Sequence, residues 1–455
     1  MDRKYFGTNG IRGIIAELIT PAFISKMSSA IAASLKDKGT VVVGADSRLT
    51  GPFIKNNVIS SFLASGNEVI DLGVVPTPVV QYAVTHLQAK MGIVVTASHN
   101  PPEFNGIKVI DDDGIEIDIE KQLEIEEIFE KERFSNVSWN ENGSITEMNL
   151  NQEYIDQIKQ FVNVDRIKKK AMTVVVDTGN GAGSVVTPEL LRQIGMRVIT
   201  INGNLDGRLS GRGSEPTPEK LREMSKTTQQ IKANFSVAHD GDADRAIFGD
   251  ENGNILFGDK SITLFEKWFM KHHDNKQFVT PISSSSAVVD IADEMGGKVL
   301  WTPVGCIFVS RKMISSNALL GGEENGGLFY GLHQSVRDGA MAAALMAHIL
   351  AETEKTFSDL ISELPKYHQK KNKVACPNKL KKNVMEHIAS TIPESVELVD
   401  IDGVKLIYQE GWVLIRPSGT EQIFRIFVEA KTEIMANEIM KDGMNLIQTA
   451  LQELN

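Results

Sequence analysis

Cysteine is almost absent from this chain of 455 residues, which contains only Cys306 and Cys376. Two thiols in a chain of this length do not make a disulfide framework, so we expect a reducing compartment, the cytoplasm. Long apolar runs are also missing. The N-terminal MDRKYFGTNG lacks the apolar core of a secretion signal, and residues 340–351, the most apolar helical stretch, are too few to span lipid. We therefore expect neither a secreted disulfide-rich protein nor a membrane-spanning one.

Positive charge is in deficit, with 48 Lys and Arg against 59 Asp and Glu and a net charge of −11. A chain with this balance repels nucleic acid and anionic membranes, so we expect neither as a partner. An anionic small molecule would need a local cluster of cationic side chains.

Short segments rich in Val and Ile recur along the chain, each followed by Gly, Asp or Pro and then by a segment with helical spacing. They are TVVVGADSR, NEVIDLGVVPTP, GIVVTASHNP, MTVVVDTGNGAG, MRVITINGN and NFSVAHDGDADR. This alternation of strand, loop and helix predicts an α/β fold. Thr-Pro pairs predict helix starts, with the Thr as N-cap, at Thr20, Thr77, Thr187 and Thr217.

Several domains are expected, because one hydrophobic core rarely serves 455 residues. A charged stretch over 120–151, a hairpin-like DENGNILFGD near 250 and a basic KYHQKKNKVACPNKLKK segment over 366–382 separate the blocks. We predict α/β domains over 1–150, 151–250 and 251–368, and a smaller α+β domain over 369–455. The first three blocks repeat the same units, which favours an internal structural repeat.

Ser98 lies in GIVVTASHNPP, directly after an apolar strand-like run. The carboxyl ends of strands in open α/β sheets gather ligands, and Asn100, Pro101 and Pro102 force a turn that holds the hydroxyl outward. A plain turn serine is the alternative. No G-x-S-x-G elbow surrounds Ser98, which weakens a serine-hydrolase interpretation.

Three carboxylates at alternate positions, Asp240, Asp242 and Asp244, follow an apolar run in HDGDADR. Such a cluster suits Mg²⁺ or Ca²⁺ and leaves open positions for a phosphate oxygen or water. A calcium EF-hand loop is rejected, because Arg245 stands where that loop needs Gly and the flanks are strand-like. A solvated acidic turn is the alternative.

Two further loops carry binding chemistry. LLGGEENGGLFYG places Glu323 and Asn325 among glycines, which favours contacts with sugar hydroxyls, although a flexible turn has the same composition. IRPSGTEQIFRIF combines guanidinium groups, hydroxyls and a tight turn, as a phosphate monoester requires, although a surface turn is the alternative. The residues of this second loop are Arg416, Ser418, Gly419, Thr420 and Arg425.

Taken in order, the motifs YFGTNGIRG (5–13), TASHNP, DGDADR, GEENGG and RPSGTE resemble the α-D-phosphohexomutase superfamily over nearly the whole chain. The resemblance implies four domains around a central cleft: three related mixed α/β sandwich domains and a smaller α+β C-terminal domain. It also implies interconversion of hexose 1-phosphate and 6-phosphate through a phosphoserine enzyme. Hexose 1,6-bisphosphate would be the intermediate and activator.

Site roles follow from the resemblance. Ser98 would carry the phosphoryl group and hold Mg²⁺ together with Asp240, Asp242 and Asp244. Arg12 and Lys108 are candidates for the general acid and base, provided that cationic neighbours such as Arg12 lower the pKa of Lys108. The substrate-binding residues would be Arg245, Glu323, Asn325, Arg416, Ser418, Gly419, Thr420 and Arg425.

The motifs differ in which sugar substrate they indicate. FGTNGIRG is similar to the phosphoglucosamine mutase branch, which implies conversion of glucosamine 6-phosphate to glucosamine 1-phosphate. GEENGG is similar to archaeal-type members that accept several hexose phosphates, as a broad phosphomannomutase/phosphoglucomutase does. Asn325, Gly327 and Cys306 depart from the bacterial pattern of Ser, His, and His or an acid. A Mg²⁺-dependent sugar phosphatase and a non-catalytic protein that binds sugar phosphate or Ca²⁺ stay open as interpretations. A monomer or homodimer is expected.

Overall fold

The computed structural model describes residues 3–392, 396–418 and 422–454. Within them, four β-sheets follow one another along the chain, with helices between the strands. The mixed α/β class predicted from the alternating segments is confirmed.

The first sheet has the strand order β1-β5-β4-β2-β3-β6, with β2, β3, β4 and β6 parallel and β5 antiparallel to β4. Its strands are β1 (Ile11–Ile14), β2 (Thr40–Ala45), β3 (Glu68–Val74), β4 (Met91–Val95), β5 (Phe104–Ile110) and β6 (Ile145–Glu147). Its helices are α1 (Pro21–Ala33), α2 (Gly51–Ala64), α3 (Thr77–His86) and α4 (Ile119–Glu130). Side chains alternate along β2: Val42 packs on the α3 side, whereas Val41 and Val43 pack against α1, α2 and α4. Helices therefore cover both faces of the sheet.

The second sheet has the order β10-β9-β7-β8. Its strands are β7 (Thr173–Asp177), β8 (Arg197–Ile201), β9 (Phe235–Ala238) and β10 (Ile247–Gly249), and its helices are α5 (Asn151–Lys159), α6 (Val164–Lys170), α7 (Thr187–Gln193) and α8 (Arg222–Gln230). Here too Val174 and Val176 face one core while Val175 faces another, beneath α8.

The third sheet has the order β12-β11-β13-β14-β15. Its strands are β11 (Gln277–Pro281), β12 (Lys298–Thr302), β13 (Leu320–Glu323), β14 (Gly327–Tyr330) and β15 (Gln334–Arg337). Its helices are α9 (Gly258–His272), α10 (Ala287–Glu294), α11 (Cys306–Ser316), α12 (Gly339–Glu352) and α13 (Phe357–Ser362).

The three sheets share one pattern, in which three parallel strands are followed by an antiparallel fourth. The sets are β3-β2-β4-β5, β8-β7-β9-β10 and β12-β11-β13-β14. The loop between the third and fourth strand therefore occupies the same place in each sheet. Residues 96–103, 239–246 and 324–326 form these loops, which are called the serine, metal and sugar loops below.

Helix α12 joins the second and third regions, because residues 339–350 are all buried and the helix packs against α5, α6 and α7. Its many alanines permit close helix approach, and one hydrophobic core runs continuously through all three regions.

The fourth sheet is antiparallel throughout, with the order β16-β20-β19-β18-β17, and it has a core of its own. Its strands are β16 (His368–Ala375), β17 (Glu397–Val399), β18 (Val404–Tyr408), β19 (Gly411–Pro417) and β20 (Ile423–Ala430), and its helices are α14 (Lys381–Thr391) and α15 (Glu433–Glu453).

The N-cap prediction is confirmed only at Thr20, whose hydroxyl accepts a hydrogen bond from Phe23 N at 3.2 Å. It is wrong elsewhere: Thr77 and Thr187 are the first residues of their helices, and α8 begins at Arg222, well after Thr217. Pro is tolerated throughout the first helical turn, so a Thr-Pro pair does not fix which residue caps the helix.

Candidate active site

The serine and metal loops meet side by side. Ser98 Oγ donates a hydrogen bond to Asp240 Oδ2 at 2.9 Å, and both residues are fully buried. A Cβ at Gly241 would lie 2.6 Å from Ser98 O, so only glycine permits this approach of the two backbones. The structure therefore brings together two sequence-predicted groups that are 142 residues apart.

Ser98 has the left-handed backbone conformation, with φ of 51°, which is uncommon for a residue with a side chain. Its amide donates to Thr96 Oγ1 at 2.8 Å, and the buried Arg48 donates to Ser98 O at 2.8 Å and Asn100 O at 2.6 Å. Asp46 in turn forms an ion pair with Arg48 at 3.0 Å. This network fixes the backbone of the serine loop, from which the Ser98 hydroxyl reaches Asp240 of the metal loop.

The three aspartates of the metal loop are buried, and one carboxylate oxygen from each lies within 4.8 Å of the others. Burial and the neighbouring carboxylates of Asp244 and Asp242 raise the pKa of Asp240 to about 7. Strands β9 and β10 flank the loop, which confirms the rejection of an EF-hand.

Lys108, on β5, lies against the metal loop, with Nζ 2.6 Å from Asp242 Oδ2 and 2.9 Å from Asp244 Oδ2. Burial lowers the pKa of Lys108, but the two carboxylates outweigh that effect, so the pKa is raised overall. The condition under which Lys108 could act as a base, a lowered pKa, is therefore not met, because two aspartates that are distant in the sequence lie against the amine.

Arg12 and Arg245 both contact side chains of the serine loop. Arg12 Nη1 donates to Asn100 Oδ1 at 3.2 Å, and Arg245 Nη2 lies 3.2 Å from His99 Nδ1. Burial and these two guanidinium groups lower the pKa of His99 to about 2, so the ring is neutral. Arg245 Nε is also 3.8 Å from Asp240 Oδ2 and from Asp244 Oδ1.

Glu323, the last residue of β13, is buried and accepts a hydrogen bond from Arg337 Nη1 at 3.1 Å. Burial raises the pKa of Glu323, and Arg337 opposes that rise. Asn325 Oδ1 accepts from Gly327 N at 3.1 Å, which closes the sugar loop. Cys306 is buried nearby, 3.2 Å from Asn9 Nδ2, and burial raises the pKa of its thiol.

The predicted phosphate loop lies on the fourth sheet. Arg416 and Arg425 are paired across β19 and β20, and Arg416 Nε donates to Asp402 Oδ2 at 2.7 Å. Ser418 is buried, and its carbonyl accepts from Lys381 Nζ at 2.5 Å. Gly419 and Thr420, which the sequence also assigned to this site, lie outside the described residues.

The chain is similar over nearly its whole length to one family of known proteins. Models of phosphoglucomutase/phosphomannomutase match in order: alpha/beta/alpha domain I over residues 3–136, domain II over 152–253, domain III over 257–367 and the C-terminal domain over 369–445. The phosphoglucomutase/phosphomannomutase of Thermococcus kodakarensis is 42% identical over 453 residues, which is 99% of each chain. The chain belongs to the phosphoglucomutase/phosphomannomutase family.

Another relative of this family, the phosphoglucosamine/phosphogalactosamine mutase of Sulfurisphaera tokodaii, is 42% identical over 458 residues, covering 98% of this chain and 99% of that one. A solved structure of a phosphoglucomutase/phosphomannomutase family protein from Burkholderia thailandensis has the same fold, with a TM-score of 0.88, 24% identity and 97% coverage of each chain. The predicted resemblance, fold and phosphomutase class are confirmed. No helix in the described part of the chain is both long and apolar enough to cross a membrane.

The metal loop of this family member fits a divalent cation. Asp242 Oδ1 and Asp244 Oδ1 are buried and have no hydrogen-bond partner within the described ranges, while the Oδ2 atoms of both residues are held by Lys108. Two buried carboxylate oxygens without a hydrogen bond are costly unless a cation lies close to them. The aspartate cluster is therefore able to hold a metal ion.

Sequence reasoning missed several residues that hold the site. Thr77, Arg48 and Arg337 hydrogen-bond to the metal or serine loop, and His99 contacts Arg245. The local signals are weak: the Thr-Pro pair at Thr77 indicates only a helix start, and neither arginine belongs to a recognisable motif. Their partners are 50 to 165 residues away in the sequence.

Proposed function

We propose that this protein is a phosphohexomutase that interconverts hexose 1-phosphate and 6-phosphate, with glucosamine phosphate as its preferred substrate. The observation that carries the proposal is the buried hydrogen bond of 2.9 Å between Ser98 Oγ and Asp240 Oδ2, inside a cluster of carboxylates suited to a cation. A serine held in this way suits a group that is phosphorylated beside a metal ion.

Ser98 carries the phosphoryl group in this proposal. A sugar hydroxyl oxygen bonds to the phosphorus while the bond from phosphorus to Ser98 Oγ breaks, the sugar hydroxyl gives up its proton, and Oγ gains one. The product is hexose 1,6-bisphosphate. In the second transfer, Ser98 Oγ gives up its proton and bonds to the other phosphorus, and the released sugar oxygen takes a proton. The bisphosphate is thus both intermediate and activator, because it regenerates the phosphoserine.

Mg²⁺ is the proposed cofactor, held by phosphorylated Ser98 and by Asp240, Asp242 and Asp244. The Oδ1 atoms of Asp242 and Asp244, which accept no hydrogen bond among the described residues, support this assignment. When bound, the ion neutralises negative charge on the phosphoryl oxygens. Buried surroundings keep water from the phosphoserine, which favours transfer to a sugar over hydrolysis.

Arg12 and Lys108 are proposed for general acid and base work. Because Asp242 and Asp244 raise the pKa of Lys108, its ammonium suits the acid, which gives a proton to the departing oxygen, rather than the base. They extend from β1 and β5, which pair next to the serine loop with Arg12 opposite Gly106 and Ile11 opposite Ile107. Arg245 is proposed to bind substrate beside the metal loop, and Glu323 and Asn325 to accept hydrogen bonds from sugar hydroxyls. The non-reacting phosphate would be anchored by Arg416, Ser418, Gly419, Thr420 and Arg425.

The domain limits are also proposed, at residues 150, 250 and 368. The chain changes sheet near each of them: β6 ends at Glu147, β10 at Gly249 and α13 at Ser362. Limited proteolysis that releases fragments ending near these positions would support the limits, and cleavage confined to other sites would contradict them.

A broad phosphoglucomutase/phosphomannomutase is the second candidate, because a relative with that name is as similar to this chain as the phosphoglucosamine/phosphogalactosamine mutase is, at 42% identity. The two candidates differ in the ratio of kcat/KM values for glucosamine, glucose and mannose 1-phosphates. A preference for glucosamine of roughly tenfold, worth about 1.4 kcal/mol, supports the first candidate. Equal values support the second.

The test supplies each sugar 1-phosphate with Mg²⁺ and a trace of hexose 1,6-bisphosphate, and follows products by phosphorus NMR. We expect 6-phosphate from the native protein and none from Ser98→Ala. Ser28→Ala is the matched control, since Ser28 is also fully buried in the first region but lies on α1. Release of free phosphate by both the native protein and Ser98→Ala would overturn the mutase and point to a phosphatase.

A further inference from the structure

Arg337 stands between two loops of the site and belongs to none of the sequence motifs. It is the last residue of β15, and 5% of its surface is exposed. Nη2 donates to Asp244 Oδ2 at 2.5 Å, and Nη1 donates to Glu323 Oε2 at 3.1 Å. One guanidinium group therefore bridges the metal loop of the second region and the end of strand β13, next to the sugar loop, in the third.

The space for this bridge is provided by Gly327. A Cβ at that position would lie 2.6 Å from Arg337 Cδ and 3.0 Å from Cγ, so any side chain there would displace the arginine stem. Gly327 is not among the residues with positive φ, so backbone conformation does not explain its identity. The glycine and the arginine form one packing arrangement.

The backbone next to Arg337 is firmly held. Asp338 caps helix α12 by accepting from Met341 N at 2.9 Å, and its other carboxylate oxygen accepts from Tyr154 at 2.6 Å and Gln334 at 2.9 Å. Gln334 also donates to Pro78 O at 3.2 Å, beside the threonine that contacts Asp242. An arginine anchored in this way has little freedom, so its two contacts fix the distance between the loops.

We propose that Arg337 is a positioning residue with opposite effects on the affinities for sugar and for the metal ion. It holds the Glu323 carboxylate in place for sugar hydroxyls, and its positive charge weakens the attraction of Asp244 for the metal ion. The inference rests on the proposed function, because it assigns the sugar to Glu323 and Mg²⁺ to Asp244. It adds a residue that acts through both of these side chains and touches neither ligand.

The two contacts predict opposite effects on sugar binding and on metal binding when Arg337 is replaced. Glu323 loses the cation with which it forms an ion pair, so its carboxylate is no longer oriented for sugar hydroxyls. Asp244 keeps Lys108 at 2.9 Å and therefore keeps its orientation, but it loses a positive charge that competes with a bound cation. Sugar binding weakens and metal binding tightens.

The experiment uses calorimetry on the full chain in a Ser98→Ala background, so that the ligand is not turned over. Mg²⁺ alone and glucosamine 6-phosphate at saturating Mg²⁺ are titrated separately. For Arg337→Met we expect a Kd for glucosamine 6-phosphate raised about tenfold and a Kd for Mg²⁺ lowered roughly threefold or more. Weakening of both, or a change in neither, would overturn the proposal.

Three further variants separate charge from geometry. Arg337→Lys keeps the charge but not the two-pronged contact, so the Mg²⁺ Kd should stay within about twofold while the sugar Kd rises. Gly327→Ala should also raise the sugar Kd and leave the Mg²⁺ Kd within about twofold, because its Cβ would lie 2.6 Å from Arg337 Cδ and 3.2 Å from Glu323 Oε2 and so would disturb their contact without removing a charge. Arg311→Met is the matched control: Arg311 donates to Glu116 O at 3.1 Å between the third and first regions, and neither Kd should move.

The Lys and Ala variants keep the proposal testable where Arg337→Met does not fold, because an unchanged sugar Kd in both would overturn it. Failure of the proposed function is distinct: the native protein would then produce no 6-phosphate in the NMR assay, whatever the two Kd values of the variants.

Discussion

Thr77 and Asp242 are joined by two hydrogen bonds. The hydroxyl of Thr77 donates to Asp242 Oδ2 at 2.6 Å, and its amide donates to Asp242 O at 3.0 Å. Thr77 begins helix α3 of the first region, whereas Asp242 lies in the metal loop of the second. The start of a helix thus orients a carboxylate that belongs to another sheet.

Replacing Thr77 by valine should weaken Mg²⁺ binding about tenfold, the lower end of the range for residues that orient metal ligands. Valine keeps the shape but removes the hydroxyl, so among the described residues Oδ2 of Asp242 keeps only the hydrogen bond from Lys108, and the carboxylate turns more freely. Calorimetric titration with Mg²⁺ measures the change. Arg337→Met is expected to tighten Mg²⁺ binding, whereas Thr77→Val should weaken it, because threonine is neutral and its loss removes no positive charge that competes with the ion.

Thr228→Val is the matched control for this change. Thr228 is also fully buried, but its hydroxyl donates to Met224 O within α8 at 2.7 Å. We expect its Mg²⁺ affinity to equal that of the native protein. If the two valine variants bound Mg²⁺ equally well, Thr77 would have no role in orienting Asp242.

The burial of Glu266 predicts that the free energy of unfolding depends on pH. It is buried on α9 with both carboxylate oxygens lacking a partner in the described parts of the chain, and burial raises its pKa well above the ordinary value. As pH rises above about 4.3, the unfolded chain loses this proton while the folded protein retains it, so the free energy of unfolding falls. Glu266→Gln removes that loss.

Thermal unfolding checks this prediction. The melting temperature of Glu266→Gln should exceed that of the native protein at pH 8 by about 2 °C or more, the shift produced by roughly 1 kcal/mol in a domain of this kind. The difference should shrink toward zero near pH 4. Glu438→Gln, on the exposed side of α15, is the control and should show no difference at either pH. A difference that is constant with pH would contradict the assignment.

Lys405 contributes to the packing of the fourth sheet against the third region. Its Nζ donates to Ile282 O at 2.8 Å and lies 4.0 Å from the ring centre of Trp412 and 4.9 Å from that of Trp301. Lys405→Met leaves a buried carbonyl without its donor, which costs roughly 1–3 kcal/mol. We expect faster proteolysis between residues 363 and 368 and a lower melting temperature for the fourth region.

Lys371→Met is the control for Lys405. Lys371 also lies over an aromatic ring, 5.4 Å from the centre of Phe427, but on an exposed part of β16. Its removal should leave the proteolysis rate within about twofold of the native rate. Equal rates for the native protein and Lys405→Met would show that this lysine does not contribute to docking.

Sequence patterns predicted the residues that end strands. Ser98 and Asp240 lie three and two residues after the ends of β4 and β9, and the apolar runs before them mark these strands clearly. Glu323 ends β13, but the sequence LGGE predicted only a glycine-rich turn there. The pKa of Lys108 could not be read from local sequence, because it depends on two carboxylates at 2.6 and 2.9 Å that lie more than 130 residues away. Distances between residues so far apart in the chain cannot be predicted from the spacing of residues within a motif.

The sequence by itself determined the α/β class, the repeated units and the motif residues, since each of these depends on hydrophobic period or on residue type within a few positions. Only the tertiary structure decided which oxygen of Asp242 is held and which is left without a partner, and it alone placed Arg337 between Asp244 and Glu323. The physical reason is that both depend on three sheets packed about one core, where a missing Cβ at Gly327 or a helix start at Thr77 acts on a loop from another region.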